Sequence, residues 1–141
     1  MNIKYRSELW KLIQDTPGDV AEIGVAEGRL SREIINWPNR RFKLYLVDRW
    51  RSVPTQKGDG GNPQSWHDKN LQDVTKLQEE FPGDVVILRG DSVAQATHVL
   101  PGSLALAYLD GDHSYDGVLR DLRAWHPKVA KGGFIALHDY E

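Results

Sequence analysis

Two kinds of apolar pattern alternate along the chain. Runs of consecutive apolar residues read as strands: Val20, Ala21 and Ile23, then Phe42 to Val47, Asp84 to Leu88, Leu104 to Leu109, and Phe134 to Leu137. Between them, apolar residues recur at helical spacing. Tyr5 to Asp15 predicts an amphipathic helix with Tyr5, Leu9, Leu12 and Ile13 on one face, stopped by Thr16-Pro17-Gly18. Trp10 on the same helix reads as packing. Leu30, Ile34 and Ile35 predict a second helix, and Trp37-Pro38-Asn39 breaks the chain after it. Ser65 to Phe81 predicts a third, with Leu71, Val74, Leu77 and Phe81 as its buried stripe and Pro82-Gly83 as its stop. Val93, Ala96 and Leu100 predict a short fourth. Tyr115 to Val129 predicts a fifth that turns Val118, Leu122 and Trp125 inward and is capped by Lys131-Gly132-Gly133.

Strands that are apolar throughout are buried on both faces, and strands that alternate with helices build a parallel sheet. The expected architecture is one α/β domain over residues 1–141, Rossmann-like and doubly wound, with strand order 3-2-1-4-5. No repeat, low-complexity tract or domain boundary interrupts it. Arg49 to Gln64, broken by Pro54, Lys57-Gly58-Asp59-Gly60-Gly61 and Pro63, falls at the carboxyl end of the strands. It reads either as a mobile lid over a ligand or as plain surface disorder.

Composition narrows the partners. A net charge of −2 gives no electrostatic basis for binding nucleic acid or a membrane surface. The absence of cysteine excludes disulfides, thiolate metal sites and cysteine nucleophiles. No apolar run approaches the ~20 residues of a membrane span, and no signal-peptide core follows Met1, so the expectation is a soluble cytoplasmic protein.

The first stretch with chemistry is Asp19 to Ser31, a strand, a glycine turn and a helix, with Gly24 and Gly28 bracketing the turn. Such a turn brings backbone close to a ligand and faces it with the free amides of a helix start. Its spacing is Glu-x-Gly-x-x-x-Gly. Ala26 and Arg29 stand where the dinucleotide pattern places its second and third glycines, which argues against a pyrophosphate. Glu22, just before the turn, suits a ligand with a positive amine. Asp48 ends the second strand 24 positions beyond Gly24. A carboxylate there either binds a ribose diol or caps the following turn.

The second cluster is late. Strand four runs into Asp110-Gly111-Asp112-His113-Ser114-Tyr115, and strand five into His138-Asp139-Tyr140. Neighbouring strands bring both to one edge of the sheet. Asp110, His138 and Asp139 could supply two carboxylates and an imidazole to one divalent cation, with magnesium or manganese favoured by the oxygens and iron, zinc or cobalt left open by the histidine. Helix capping by Asp110 and Asp112, and a strand-end histidine satisfied by its surroundings, are the alternatives.

The early stretch resembles motif I of class I S-adenosylmethionine-dependent methyltransferases. Together with Asp48-Arg49-Trp50, Asp-Gly-Asp-His-Ser-Tyr, Asp121-Leu122, Trp125, Gly132-Gly133 and His138-Asp139-Tyr140, the chain from about residue 18 onward is similar to the family of macrocin O-methyltransferase-like enzymes. The resemblance implies that Glu22, Gly24, Ala26 and Gly28 line the methionine part of S-adenosylmethionine. It places Asp48 at the ribose and Asp91 and Ser92 beside the adenine. Asp110, His138 and Asp139 match metal-ligand positions of metal-dependent relatives. His113 falls where catechol-type relatives place a base, and sugar-modifying relatives give that role to the residue matching Asp110. The implied activity is metal-assisted methylation of a hydroxyl on a small molecule such as a sugar.

Two departures accompany the resemblance. Relatives carry two carboxylates, or Asp-Asn, where this chain has His138-Asp139. Class I enzymes also continue past strand five into a helix and a strand hairpin. The expectation is a chain shortened at its C-terminus, or one that covers the strand-five edge by forming a homo-oligomer. Two other functions stay open: a non-catalytic S-adenosylmethionine-binding remnant, and a lyase or dehydrogenase on the same scaffold.

Overall fold

The computed structural model describes residues 5–138. Five strands, β1 (Asp19–Ile23), β2 (Leu44–Asp48), β3 (Val85–Arg89), β4 (Leu104–Leu109) and β5 (Val129–Leu137), form one sheet in the order β3-β2-β1-β4-β5. Every neighbouring pair is parallel. The helices are α1 (Trp10–Ile13), α2 (Arg29–Ile35), α3 (Gln64–Glu80), α4 (Ser92–Ala96) and α5 (Tyr115–Trp125).

Side chains alternate across the pleat, so each strand feeds two cores. Val20, Leu46 and Leu106 pack under α1, α2 and α3, whereas Ala21, Ile23 and Ala107 pack under α4 and α5. This explains the uninterrupted apolar strands: all six residues of β4 are buried. Truncating Leu106, fully buried at the centre, to alanine would cost about 2–5 kcal/mol through lost contacts and the cavity left behind.

Four expectations differ from the structure. The short fourth helix ends at Ala96, and Leu100, expected on its stripe, is largely exposed. The leading helix is a 3-10 turn, Arg6–Glu8, followed by the single turn of α1. Leu9 and Ile13 are buried as expected, but Tyr5 is 59 % exposed, so too little of the face is covered to support a longer helix. The fifth helix ends at Trp125 because Pro127, two residues on, lacks an amide hydrogen and a 3-10 turn takes over. Val129, which continues the helical spacing, instead starts β5, and the register shift between Leu104 and Leu106 absorbs the extra residues of Lys131-Gly132-Gly133. The irregular segment before α3 contains a 3-10 turn at Gly58–Gly61 and is tied at its base: Gln64 accepts from the Ser52 amide and donates to the Trp50 carbonyl.

The strand exits are stitched into a row. The Gly24 amide donates to the Val47 carbonyl at 2.8 Å, Gly90 to Asp48 at 2.9 Å, Asp110 to Ile23 at 2.7 Å and His138 to Leu109 at 3.1 Å. The polar residues beyond each strand therefore emerge along one edge.

Candidate functional site

Glu22 lies on β1, opposite Leu46 and Tyr108 in the neighbouring strands, and is 2 % exposed. Its hydrogen-bond donor is the Ser31 hydroxyl of α2, at 2.5 Å. Burial pushes the carboxyl up to about 8, against the Ser31 bond. The nearby carboxylates of Asp110 and Asp48 push the same way, and Arg6 opposes them.

Gly24 has φ 89, and a Cβ there would sit 2.0 Å from the Asp110 carbonyl oxygen. Only glycine allows the β1 and β4 exits to touch. The residue the sequence reads as making room for a ligand thus makes room first for the second polar cluster. Gly28 (φ 82) caps the start of α2, and a Cβ there would sit 3.0 Å from the Val74 side chain.

Asp48 is engaged with this turn. Its Oδ2 accepts from the Val25 and Ala26 amides, both at 2.9 Å, and its Oδ1 accepts from the Trp50 amide at 2.9 Å. A carboxylate offers about four acceptor positions, so one is left for a ribose hydroxyl. A diol that takes both hydroxyls to Asp48 must displace one of these amides.

Asp91 caps α4 through the Ala94 amide at 3.2 Å. It also accepts from Arg49 at 2.9 Å and from Arg120 at 3.0 and 3.1 Å. Burial alone would raise its pKa, but the hydrogen bonds of Arg120 and Arg49 outweigh it and hold the carboxyl near 2. Ser92 donates to Asp121, which burial raises above the ordinary carboxylate range. Asp121 also lines a small cleft of about 30 Å³ with Gly111, His113 and His138. In the sequence, Asp121 stands out only through the resemblance. The signal for more was there: Asp121 falls at the helical spacing of Val118, Leu122 and Trp125, a polar side chain on an apolar stripe.

Beside that cleft, Asp110 Oδ1 lies 3.0 Å from His138 Nδ1 and 3.5 Å from His113 Nε2. The structure therefore brings Asp110, His113 and His138 together, next to the Gly24 turn. Asp139 lies outside the described residues. Among the described residues, no three His, Cys, Asp or Glu side chains are arranged to hold a metal ion. A carboxylate beside an imidazole fixes its orientation, the arrangement a general base needs.

A family described as a methyltransferase domain matches residues 21–140, a span that includes the β1 turn and both polar clusters. The chain belongs to this family. S-adenosylmethionine is the family's methyl donor. Over 75 residues, 53 % of this chain and 29 % of the relative, the chain is 38 % identical to an uncharacterized protein of Acanthamoeba polyphaga mimivirus. Among solved structures, the calicheamicin methyltransferase CalS11 superposes with a TM-score of 0.68 at 18 % identity, covering 94 % of this chain and 61 % of that one. An apo structure of CalS11, described as a TDP-rhamnose 3'-O-methyltransferase, gives 0.61 at 22 % identity over 95 % and 61 %. An S-adenosyl-L-methionine methyl transferase from Silicibacter pomeroyi gives 0.56 at 16 % identity over 95 % and 74 %. These likenesses show the Rossmann-like methyltransferase fold. The chain spans about three fifths of the length of CalS11 and under a third of the viral relative. Among the described residues, no helix is long and apolar enough to cross a membrane.

Proposed function

We propose that this domain transfers the methyl group of S-adenosylmethionine to a hydroxyl of a small molecule, in the manner of macrocin O-methyltransferase-like enzymes. The carrying observation is the Asp110 carboxylate between two imidazoles, at a β4 exit that touches the β1 glycine turn. An acid–base group and a cofactor turn in contact are what transfer to oxygen needs: the hydroxyl must lose its proton while held in line with the methyl group. O-methyltransferase activity of CalS11, which shares the fold, supports the same reading.

The chain's residues take distinct parts. Glu22 and the turn from Gly24 through Ala26 to Gly28 face the amino-acid end of the cofactor. Asp48 offers its remaining acceptor position to the ribose, and Asp91 with Ser92 borders the adenine. His113 or Asp110 takes the acceptor's proton, the two side chains lying 3.5 Å apart. With Asp110 and His138 at the same edge, a divalent cation such as magnesium or manganese is proposed there, with Asp139 as the further donor that the resemblance implies. Such an ion, when bound, lowers the pKa of the acceptor hydroxyl. The outer side of β5, at the sheet's edge, is proposed as the surface through which two copies associate.

Methyl-labelled S-adenosylmethionine tests the reading, supplied with a panel of sugars and catechols in magnesium and again in EDTA, alongside calorimetry with S-adenosylhomocysteine. Label on an acceptor oxygen supports the proposal, and its loss in EDTA supports the cation. Binding without transfer to any acceptor favours the binding-only reading. Tight nicotinamide binding in place of S-adenosylhomocysteine overturns the cofactor.

A further inference from the structure

Two non-glycine residues with left-handed backbone meet at the carboxyl edge of the sheet: Ala26 (φ 51) and Trp50 (φ 45). This conformation is unfavourable for both residue types and persists where surrounding contacts enforce it. The contacts around Trp50 are specific. Its amide donates to Asp48 Oδ1 at 2.9 Å, and its carbonyl accepts from Gln64 at 3.0 Å and Arg89 at 3.3 Å. Its indole is completely buried and donates Nε1–H to the Ala26 carbonyl at 3.0 Å. The Ala26 amide, meanwhile, donates to Asp48 Oδ2.

Ala26 is thus held at both of its peptide groups by the same three-residue segment, the amide by Asp48 and the carbonyl by Trp50. Asp48 alone fixes only the amide side. The carbonyl side could swing toward an ordinary right-handed or extended conformation, which alanine prefers, and carry residues 26–28 with it. A burying phenyl ring would not prevent that, because the restraint is a single directional N–H. Gln64 at the start of α3 and Arg89 at the end of β3 in turn fix the Trp50 backbone that aims the indole.

We propose that Trp50 is a positioning residue for the cofactor turn: its indole N–H holds the Ala26 carbonyl, and so keeps residues 25–28 in their receiving conformation before the cofactor arrives. This rests on the reading of residues 22–28 as the cofactor turn. Pre-organisation of this kind improves affinity by removing an ordering cost from the binding step.

Trp50→Phe keeps most of the buried volume and removes the N–H, and Ala26→Gly removes the penalty of a left-handed backbone. In the empty protein, Trp50→Phe should raise amide exchange across residues 24–29 about tenfold and leave β4 unchanged, as expected for loss of one restraining hydrogen bond. Affinity for S-adenosylhomocysteine should fall about tenfold. Adding Ala26→Gly to Trp50→Phe should recover most of that affinity when measured against Ala26→Gly alone, the coupling expected of contacting residues. A purely structural tryptophan would show no such rescue. Gln64→Ala, at the exposed start of α3, is the second variant should Trp50→Phe not fold: it should raise exchange at 24–29 as well as at 50–53. Unchanged exchange at 24–29, or strictly additive affinities, overturns the proposal. A wild-type protein that binds no S-adenosylhomocysteine overturns the cofactor turn itself, and is recognised by exchange that still rises at 24–29.

Discussion

Replacing Glu22 by glutamine should stabilise the protein at alkaline pH and leave it nearly unchanged in acid. Glu22 is 2 % exposed, and its carboxyl is pushed from 4.5 to about 8. Burial is the main cause; Asp110 and Asp48 add to it, and the Ser31 hydroxyl and Arg6 oppose it. The unfolded chain releases this proton near the ordinary value, while the folded chain keeps it to about 8. Folding therefore binds a proton between those values, and stability falls as pH rises across that window. At 1.36 kcal/mol for each pH unit, the loss has an upper bound of about 5 kcal/mol, and relaxation around the carboxylate brings the expected value to about 2–5 kcal/mol. Glutamine carries no charge at any pH, and its carbonyl can still accept from Ser31. Urea unfolding of both proteins at pH 5, 7 and 9 measures the effect. The variant should gain on the wild type from pH 5 to about 8 and level off by pH 9. A constant difference between them across this range would refute the argument, because it would mean that Glu22 is ionised in the folded protein as readily as in the unfolded one.

Asp48→Ala should weaken S-adenosylhomocysteine binding by about 1.5–3 kcal/mol, the range for hydrogen bonds to a charged group, and lower thermal stability because the Val25, Ala26 and Trp50 amides lose their acceptor; unchanged affinity in calorimetry would remove Asp48 from the cofactor site. Asp91→Asn should cost about 1–2 kcal/mol at neutral pH, discounted for its partial exposure, by giving up the charge of the Arg49 and Arg120 pairs. That contribution is present above the ordinary carboxylate range and is lost as pH falls toward 2, so the wild-type advantage in urea should vanish at low pH. Asp110→Asn and Asp139→Asn should each weaken manganese binding measured by electron paramagnetic resonance, and full methyl transfer after EDTA and dialysis would remove the cation from the account. Sedimentation at micromolar concentration should show a dimer, and a cooperative, stable monomer would contradict association through β5.

The sheet was legible because its strands are apolar on both faces, and Leu104–Leu109 emerged with the boundaries its pattern indicates. The end of α5 was less legible, because Val129 fits both a helical stripe and a strand start, and the deciding feature is Pro127 rather than periodicity. The placement of the polar groups was legible where they follow a strand: Asp48, Asp110, His113 and His138 lie along the expected edge, with Glu22 buried just inside it on β1. What pattern could not supply is which of these groups are already occupied. Two of the acceptor positions of Asp48 are taken by amides from a turn more than twenty residues earlier, and Trp50 restrains Ala26 across the same separation. Contacts of that range follow from the parallel pairing of β1 with β2, which brings their exits together only once the sheet has formed.

A crystal structure of the chain with S-adenosylhomocysteine and magnesium tests the central claim most directly. The account predicts the amino-acid end of the ligand at Glu22 and the Gly24–Gly28 turn, one ribose hydroxyl on Asp48, the adenine beside Asp91 and Ser92, and the sulfur aimed at the Asp110–His113–His138 cluster. A ligand bound elsewhere, or in place with its sulfur turned away from Asp110, would contradict it.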